Sequence, residues 1–143
     1  MANTKPIGVA YEDQNIINAD LVSATEIFAT SKTGYTFSAY GTVTQTGNKA
    51  TGVTLNKSAG TITTSNAQLA PSAEVAFIVT NSQVSATDTV VVNIASGATA
   101  TFAYLVSVVT VQDGFFTVNL TNVSNNAYTD TLKINFSVIH VGA

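Results

Sequence analysis

Thr131-Leu132-Lys133-Ile134-Asn135-Phe136-Ser137-Val138-Ile139 alternates polar and apolar side chains. Leu132, Ile134, Phe136 and Val138 fall on one side, and Thr131, Lys133, Asn135 and Ser137 on the other. Successive side chains of an extended strand point to opposite faces, so this period of two predicts a strand with one face in a core and one in water. Upstream, Phe116, Val118 and Leu120 alternate with Thr117, Asn119 and Thr121, and Val75, Phe77 and Val79 form a further buried set. Thr89 to Ile94 and Phe102 to Val111 are apolar at both parities, which predicts strands covered on two sides. In a domain of this size such double coverage implies burial between subunits.

Turn chemistry separates these runs: Ala70-Pro71-Ser72, Asn81-Ser82-Gln83, Ser96-Gly97, Asp113-Gly114 and Asn125-Asn126. Each supplies a fixed φ, a tolerated positive φ or a side chain that bonds the backbone. Asp113-Gly114 is the strongest hairpin signal and joins Phe102–Val111 to Phe115–Val123. Short strands at close spacing, with no helical periodicity, predict an all-β fold: a jelly-roll or β-sandwich or barrel domain, with at most one helical turn, around Ser65 to Leu69.

The first fifty residues differ. Lys5-Pro6-Ile7-Gly8-Val9-Ala10-Tyr11 is a short extended apolar segment, Ile16-Ile17 and Glu26-Ile27-Phe28 are isolated anchors, and charges become sparse beyond Lys57. This composition shift puts a domain start near Gly52 and leaves an extended N-terminal arm.

Composition narrows the function. Of 143 residues, 45% are hydrophobic and 9% charged, against about a quarter charged in ordinary soluble domains. A surface of Thr, Ser, Asn and Gln is weakly defended against association, which suits a subunit packed against copies of itself or a partner. The net charge is -3, and the five basic residues are the scattered lysines 5, 32, 49, 57 and 133. No basic stripe is present for a phosphate backbone, so no nucleic-acid partner is expected. No apolar run approaches the roughly 18 residues that cross a bilayer, and Met1 to Tyr11 lacks the apolar core of a signal peptide. A protein made in the cytoplasm of the producing cell, with no membrane partner, is the expectation. With no cysteine, stability must come from packing.

Catalytic readings find few residues. His140 is the only histidine, and without a second histidine or a cysteine it cannot complete a zinc site or a catalytic dyad within one chain; an edge or packed histidine is the simpler reading. Asp88, Asp113 and Asp130 fall at turns or strand starts, where aspartate caps backbone amides. A glycan-processing enzyme would need two of them to converge. No Asp-rich calcium loop and no glycine-rich phosphate loop occurs. The expectation is a protein with no catalytic residues, no metal and no cofactor. Asn125, Asn126 and Tyr128 form the one loop expected to be exposed enough for recognition.

The stretches Gly52-Val53-Thr54-Leu55-Asn56-Lys57, Gly60-Thr61-Ile62-Thr63, Ala73-Glu74-Val75-Ala76-Phe77, Ala86–Asn93, Ser96-Gly97-Ala98-Thr99 and Lys133–Ile139 together resemble a C-terminal domain of tailed-phage virion and prophage proteins. The resemblance runs from about residue 42 to 141. The opening Lys5–Tyr11 segment resembles the start of phage head decoration or head-fibre proteins. The resemblance implies an arm over residues 1–41 that binds the major capsid protein through Lys5, Pro6, Ile7, Val9 and Tyr11, and a trimerising sandwich over 42–143. The protein would then sit on the outer surface of the capsid in the virion, as a homotrimeric decoration (cement) protein. Ile7, Val9 and Tyr11 are candidates for strand addition to a capsid sheet edge, with strand pairing inside the trimer as the alternative. A tail-fibre or head-fibre module, meeting a host surface or glycan through the tips around Asn125 to Thr129 and Ser96 to Thr99, is the other reading of the same domain.

Overall fold

A computed structural model of the chain describes residues 33–141. The expected arm residues Lys5, Pro6, Ile7, Val9 and Tyr11 lie outside them. Eight strands form: β1 (Tyr40–Thr44), β2 (Val53–Thr54), β3 (Ala59–Thr63), β4 (Glu74–Thr80), β5 (Thr89–Ser96), β6 (Tyr104–Gln112), β7 (Phe115–Asn122) and β8 (Lys133–Ile139). They make two open four-stranded sheets, β1-β3-β8-β5 and β2-β4-β7-β6. The fold is an all-β sandwich. Both sheets are mixed, because β1 pairs parallel to β3 and β2 parallel to β4 while the other pairs are antiparallel.

The register explains the core. In the first sheet Val43, Ile62, Ile134 and Ile94 align across the four strands, and in the second Phe77, Val118 and Val108 align. The apolar parity of each strand therefore stacks into rows on the inner faces. Ile62, Val79, Phe116, Val118, Leu120, Leu132, Ile134 and Val138 are fully buried. Each such burial stabilises by about 1.5 to 3 kcal/mol. Phe116 and Phe136 meet from the two strands β7 and β8 with ring centroids 5.3 Å apart. Gly60 makes room for that pair: a Cβ there would lie 2.9 Å from the Phe136 ring and 2.8 Å from the Gly41 carbonyl.

The Asp113-Gly114 hairpin forms as expected, with Gly114 at φ +83. One expectation is corrected. Ser65–Leu69 is not a helical turn, because the Ser65 carbonyl is taken by Lys49 and Leu69 bridges Tyr128; the only helical turn among the described residues is the 3-10 turn Phe37–Ala39. Within the protomer the runs 89–94 and 102–111 are each covered on one face. They become β5 and β6, the edge strands at one side of the sandwich, and their outward Val91, Leu105 and Val109 remain exposed in the protomer. Strand β1 starts at Tyr40 and the compact unit at Gly34.

Candidate recognition tip

Two segments that are far apart in sequence converge at one end of the sandwich: the β5–β6 connection, residues 97–103, and the β7–β8 connection, residues 123–132. Asp130 joins them. One carboxylate oxygen accepts the Thr99 amide at 2.8 Å and the other accepts the Thr99 hydroxyl at 2.5 Å. Gly97, at φ +99, lies so close that a Cβ would come within 2.1 Å of the Thr131 carbonyl. The Val123 amide donates to the Ala103 carbonyl at 2.9 Å. The Ser96–Thr99 and Asn125–Thr129 tips are therefore one surface.

Beneath it lies a polar anchor that composition does not suggest. Lys49 is only 3% exposed, and its ammonium donates to the Ser65 carbonyl at 2.6 Å, the Asp130 carbonyl at 2.5 Å and the Thr64 hydroxyl at 3.3 Å. Three acceptors satisfy its three protons, as a buried ammonium requires. Burial pulls the Lys49 pKa below the ordinary lysine value, and the Asp130 charge partly offsets this. Burial alone would raise the Asp130 carboxyl, but the Thr99 hydroxyl and amide, then the nearby Tyr104 hydroxyl and Lys49, outweigh it and leave the carboxyl below the ordinary range. The Tyr104 hydroxyl is buried and reaches no partner at hydrogen-bond distance, although the Asp130 carboxylate lies near it. Burial, and then the Asp130 charge, push its phenol well above the ordinary value.

Asn122 holds the expected recognition loop. It is fully buried, and its amide nitrogen donates to the carbonyls of Leu69, Ala70 and Asn126 while its oxygen accepts from the Ser124 amide and hydroxyl. Asn125 and Asn126 are exposed, as expected. Tyr128 is half-buried: it pairs with Leu69, packs against the core and faces the Tyr104 ring at 6.0 Å. The exposed aromatic of the tip is instead Phe102, at 90% exposure and φ +59. A bulky residue in the left-handed region is strained by about 1 to 2 kcal/mol, so the backbone holds this ring outward at a cost. Beside it is a shallow depression of about 300 Å³ lined by Ile94, Ala98, Thr99, Ala100, Thr101 and Tyr104 among others. Periodicity places Phe102 inside a strand, and no Gly, Asn or Pro flanks it to mark the turn.

The aspartates do not converge. Asp88 accepts the amides of Ser85 and Val141 and pairs with His140 at 3.0 Å, and Asp113 accepts the Ala86 amide. The Ser85 amide, then the Val141 amide and His140 working against burial, hold the Asp88 carboxyl below its usual value. Each is a backbone cap, and His140 closes the last strand onto the Asp88 turn. Among the described residues no group of three His, Cys, Asp or Glu is placed to hold a metal. Compared with protein families, with curated proteins and with solved structures, the chain matches none.

Proposed function

We propose that the chain is a capsid decoration protein of a tailed bacteriophage, binding the outer surface of the major capsid protein shell as a homotrimer and stabilising the head. The observation that carries this reading is the outer surface of the sandwich. The outward faces of the eight strands hold Glu74 and Lys133 as their only charges, while Ile78, Val91, Leu105, Val109 and Ile139 are each about half exposed or more. Large uncharged faces with scattered big apolar groups suit a protomer that works covered by other subunits. The resemblance of Lys5–Tyr11 and of residues 42–141 to phage virion proteins supplies the partner, and the two-sheet sandwich is compatible with a jelly-roll trimerisation domain. The action is thermodynamic: a ligand that binds only the assembled shell stabilises it by mass action, and three linked footprints raise the effective concentration. Ile7, Val9 and Tyr11 add a strand to an edge on the shell.

The test is binding to shells lacking the protein, using the full chain and a form starting at Gly34. Saturable binding that raises shell melting temperature and is lost with the arm supports decoration. A folded full chain that leaves shells untouched overturns it. Phe102 favours a second reading, a tail-fibre or head-fibre module that meets a host surface or glycan; loss of infectivity with heads still stable, on replacing Phe102 by Asn, would identify it.

A further inference from the structure

We infer that the depression beside Phe102 is a binding site for a neutral sugar; this rests on the second reading proposed above, in which Phe102 meets a host surface or glycan, and names the ligand of that contact. Two irregularities coincide here. Among the described residues Ser72 and Phe102 are the only ones other than glycine at positive φ, and the Tyr104 hydroxyl is the only buried side-chain oxygen or nitrogen that reaches no partner at hydrogen-bond distance. Phe102 and Tyr104 line the same depression of about 300 Å³. A strained backbone and an unbonded buried polar atom both cost stability, and such costs cluster at functional sites. The strained turn is also held still. Ala103 is buried, its amide donates to the Ala100 carbonyl at 3.4 Å, its carbonyl accepts the Val123 amide at 2.9 Å, and Thr99 is fastened to Asp130. The ring therefore meets a ligand with little backbone freedom left to lose.

Topology leaves this end of the sandwich available. Thr44, Thr63, Lys133 and Ser96 form the row of the first sheet nearest the tip, and Tyr40, Ala59, Ser137 and Val91 form a row towards the other end. The chain enters β1 and leaves β8 at that other end, so the tip carries neither terminus of the described residues. Loops at the end of a rigid sandwich are where binding residues are commonly presented.

The chemistry around the ring selects the ligand. Residues 97–103 and 123–129 carry no charge, and both oxygens of Asp130 are taken by Thr99, so an ionic ligand finds no counter-charge. Exposed Thr99 and Thr101 set hydroxyls around the depression, and the Phe102 ring stands as an apolar wall beside it. A pyranose is the complement: a face of C–H groups lies against the aromatic ring, and a rim of hydroxyls exchanges hydrogen bonds with the threonines. A ring that anchors a protein partner instead plugs a pocket in that partner. Here the hollow is in this chain, and its size falls at the lower end of the about 300 to 1,000 Å³ of small-molecule sites.

Titration of the isotope-labelled full chain with neutral oligosaccharides of glucose, galactose, mannose and N-acetylglucosamine, each to about 10 mM and read by nuclear magnetic resonance, tests this. The expected result is saturable binding of at least one sugar, with shifts at residues 98–104. Phe102→Asn should bind at least about tenfold more weakly while melting higher, because it relieves the strained backbone, so the loss is not unfolding. Thr101→Val should weaken binding about threefold or more. Phe37→Ala removes an equally exposed ring beside Tyr40, at the other end, and should change nothing. No shift at the tip with any of these sugars, or binding that survives Phe102→Asn, overturns the inference; a protein that binds through Phe102 while no sugar does overturns it in favour of a protein contact. Failure here separates from failure of the host-contact reading. Infectivity lost in Phe102→Asn with no sugar bound by wild type sinks only the sugar, and sugar binding lost in that variant with infectivity unchanged sinks only the host contact.

Discussion

Replacing Tyr104 by Phe is expected to stabilise the protein. Tyr104 is 7% exposed, its hydroxyl stops short of hydrogen-bond distance to Asp130, and the Tyr128 ring beside it packs equally well on phenylalanine. A buried hydroxyl left without a hydrogen bond costs about 1 to 3 kcal/mol. Its removal should recover about 1 kcal/mol at neutral pH, or about 3 to 5 °C in melting temperature for a chain of this length. Alkaline pH enlarges the gain. The phenol is raised in the folded state by burial and by Asp130, so above the ordinary value near 10 the unfolded chain releases a proton that the folded chain keeps. Stability of the wild type then falls with pH, by up to about 1.4 kcal/mol per unit, and the variant lacks that loss. Lys49, lowered by burial, is present in both proteins and drops out of the difference. Urea unfolding at pH 7 and at several values from 9 to 11 reads both effects. A variant less stable than wild type at pH 7, with a difference that does not widen above pH 10, would refute the reasoning by showing that the hydroxyl is bonded.

Three other outcomes follow from the same end and its opposite. Lys49→Met keeps the stem but leaves the Ser65 and Asp130 carbonyls without their ammonium; a loss of about 3 kcal/mol by urea unfolding is expected, and a neutral result would show that the carbonyls find water. Phe102→Asn relieves the left-handed backbone at φ +59 and should raise stability by about 0.5 to 1 kcal/mol, read as a higher melting temperature. Asp88 is depressed in the fold, chiefly by the Ser85 amide, so its stabilisation is complete above the ordinary aspartate value and disappears as pH falls through the lower folded one. Asp88→Asn should therefore flatten the acid limb of the stability profile, and an unchanged limb would assign acid unfolding to other groups.

Much of the fold is legible because alternation is a local property. Leu132 to Val138, Phe116 to Leu120 and Phe77 to Val79 turn inward by parity alone, whatever strand lies next to them. The Asp113-Gly114 hairpin and the Asp88 cap on the Ser85 amide are equally local, whereas Asp113 caps the Ala86 amide and Asp130 the Thr99 amide across long stretches of sequence. Part of the tip was legible too, as the Ser96–Thr99 and Asn125–Thr129 turns, although their convergence through Asp130 and Gly97 spans more than thirty residues of sequence.

The rest depends on pairing at long range. A doubly apolar strand reads the same whether its second face meets another sheet, another subunit or water, and only the strand order puts β5 and β6 at the edges with Val91, Leu105 and Val109 uncovered. Tyr128 reads as an exposed loop aromatic until Leu69 pairs with it, and Phe102 as a strand residue until the β5–β6 crossing turns it outward at positive φ. Lys49 looks like any surface lysine, because no local pattern announces three acceptors contributed by residues 64, 65 and 130. The amino-acid sequence by itself determined that this protein is an all-β chain, with one buried parity in its alternating strands and few charges to keep it apart from others. The tertiary structure decided which strands became edges, which aromatic ring faces water and which charge is buried, since each depends on partners that the chain brings together only when it folds.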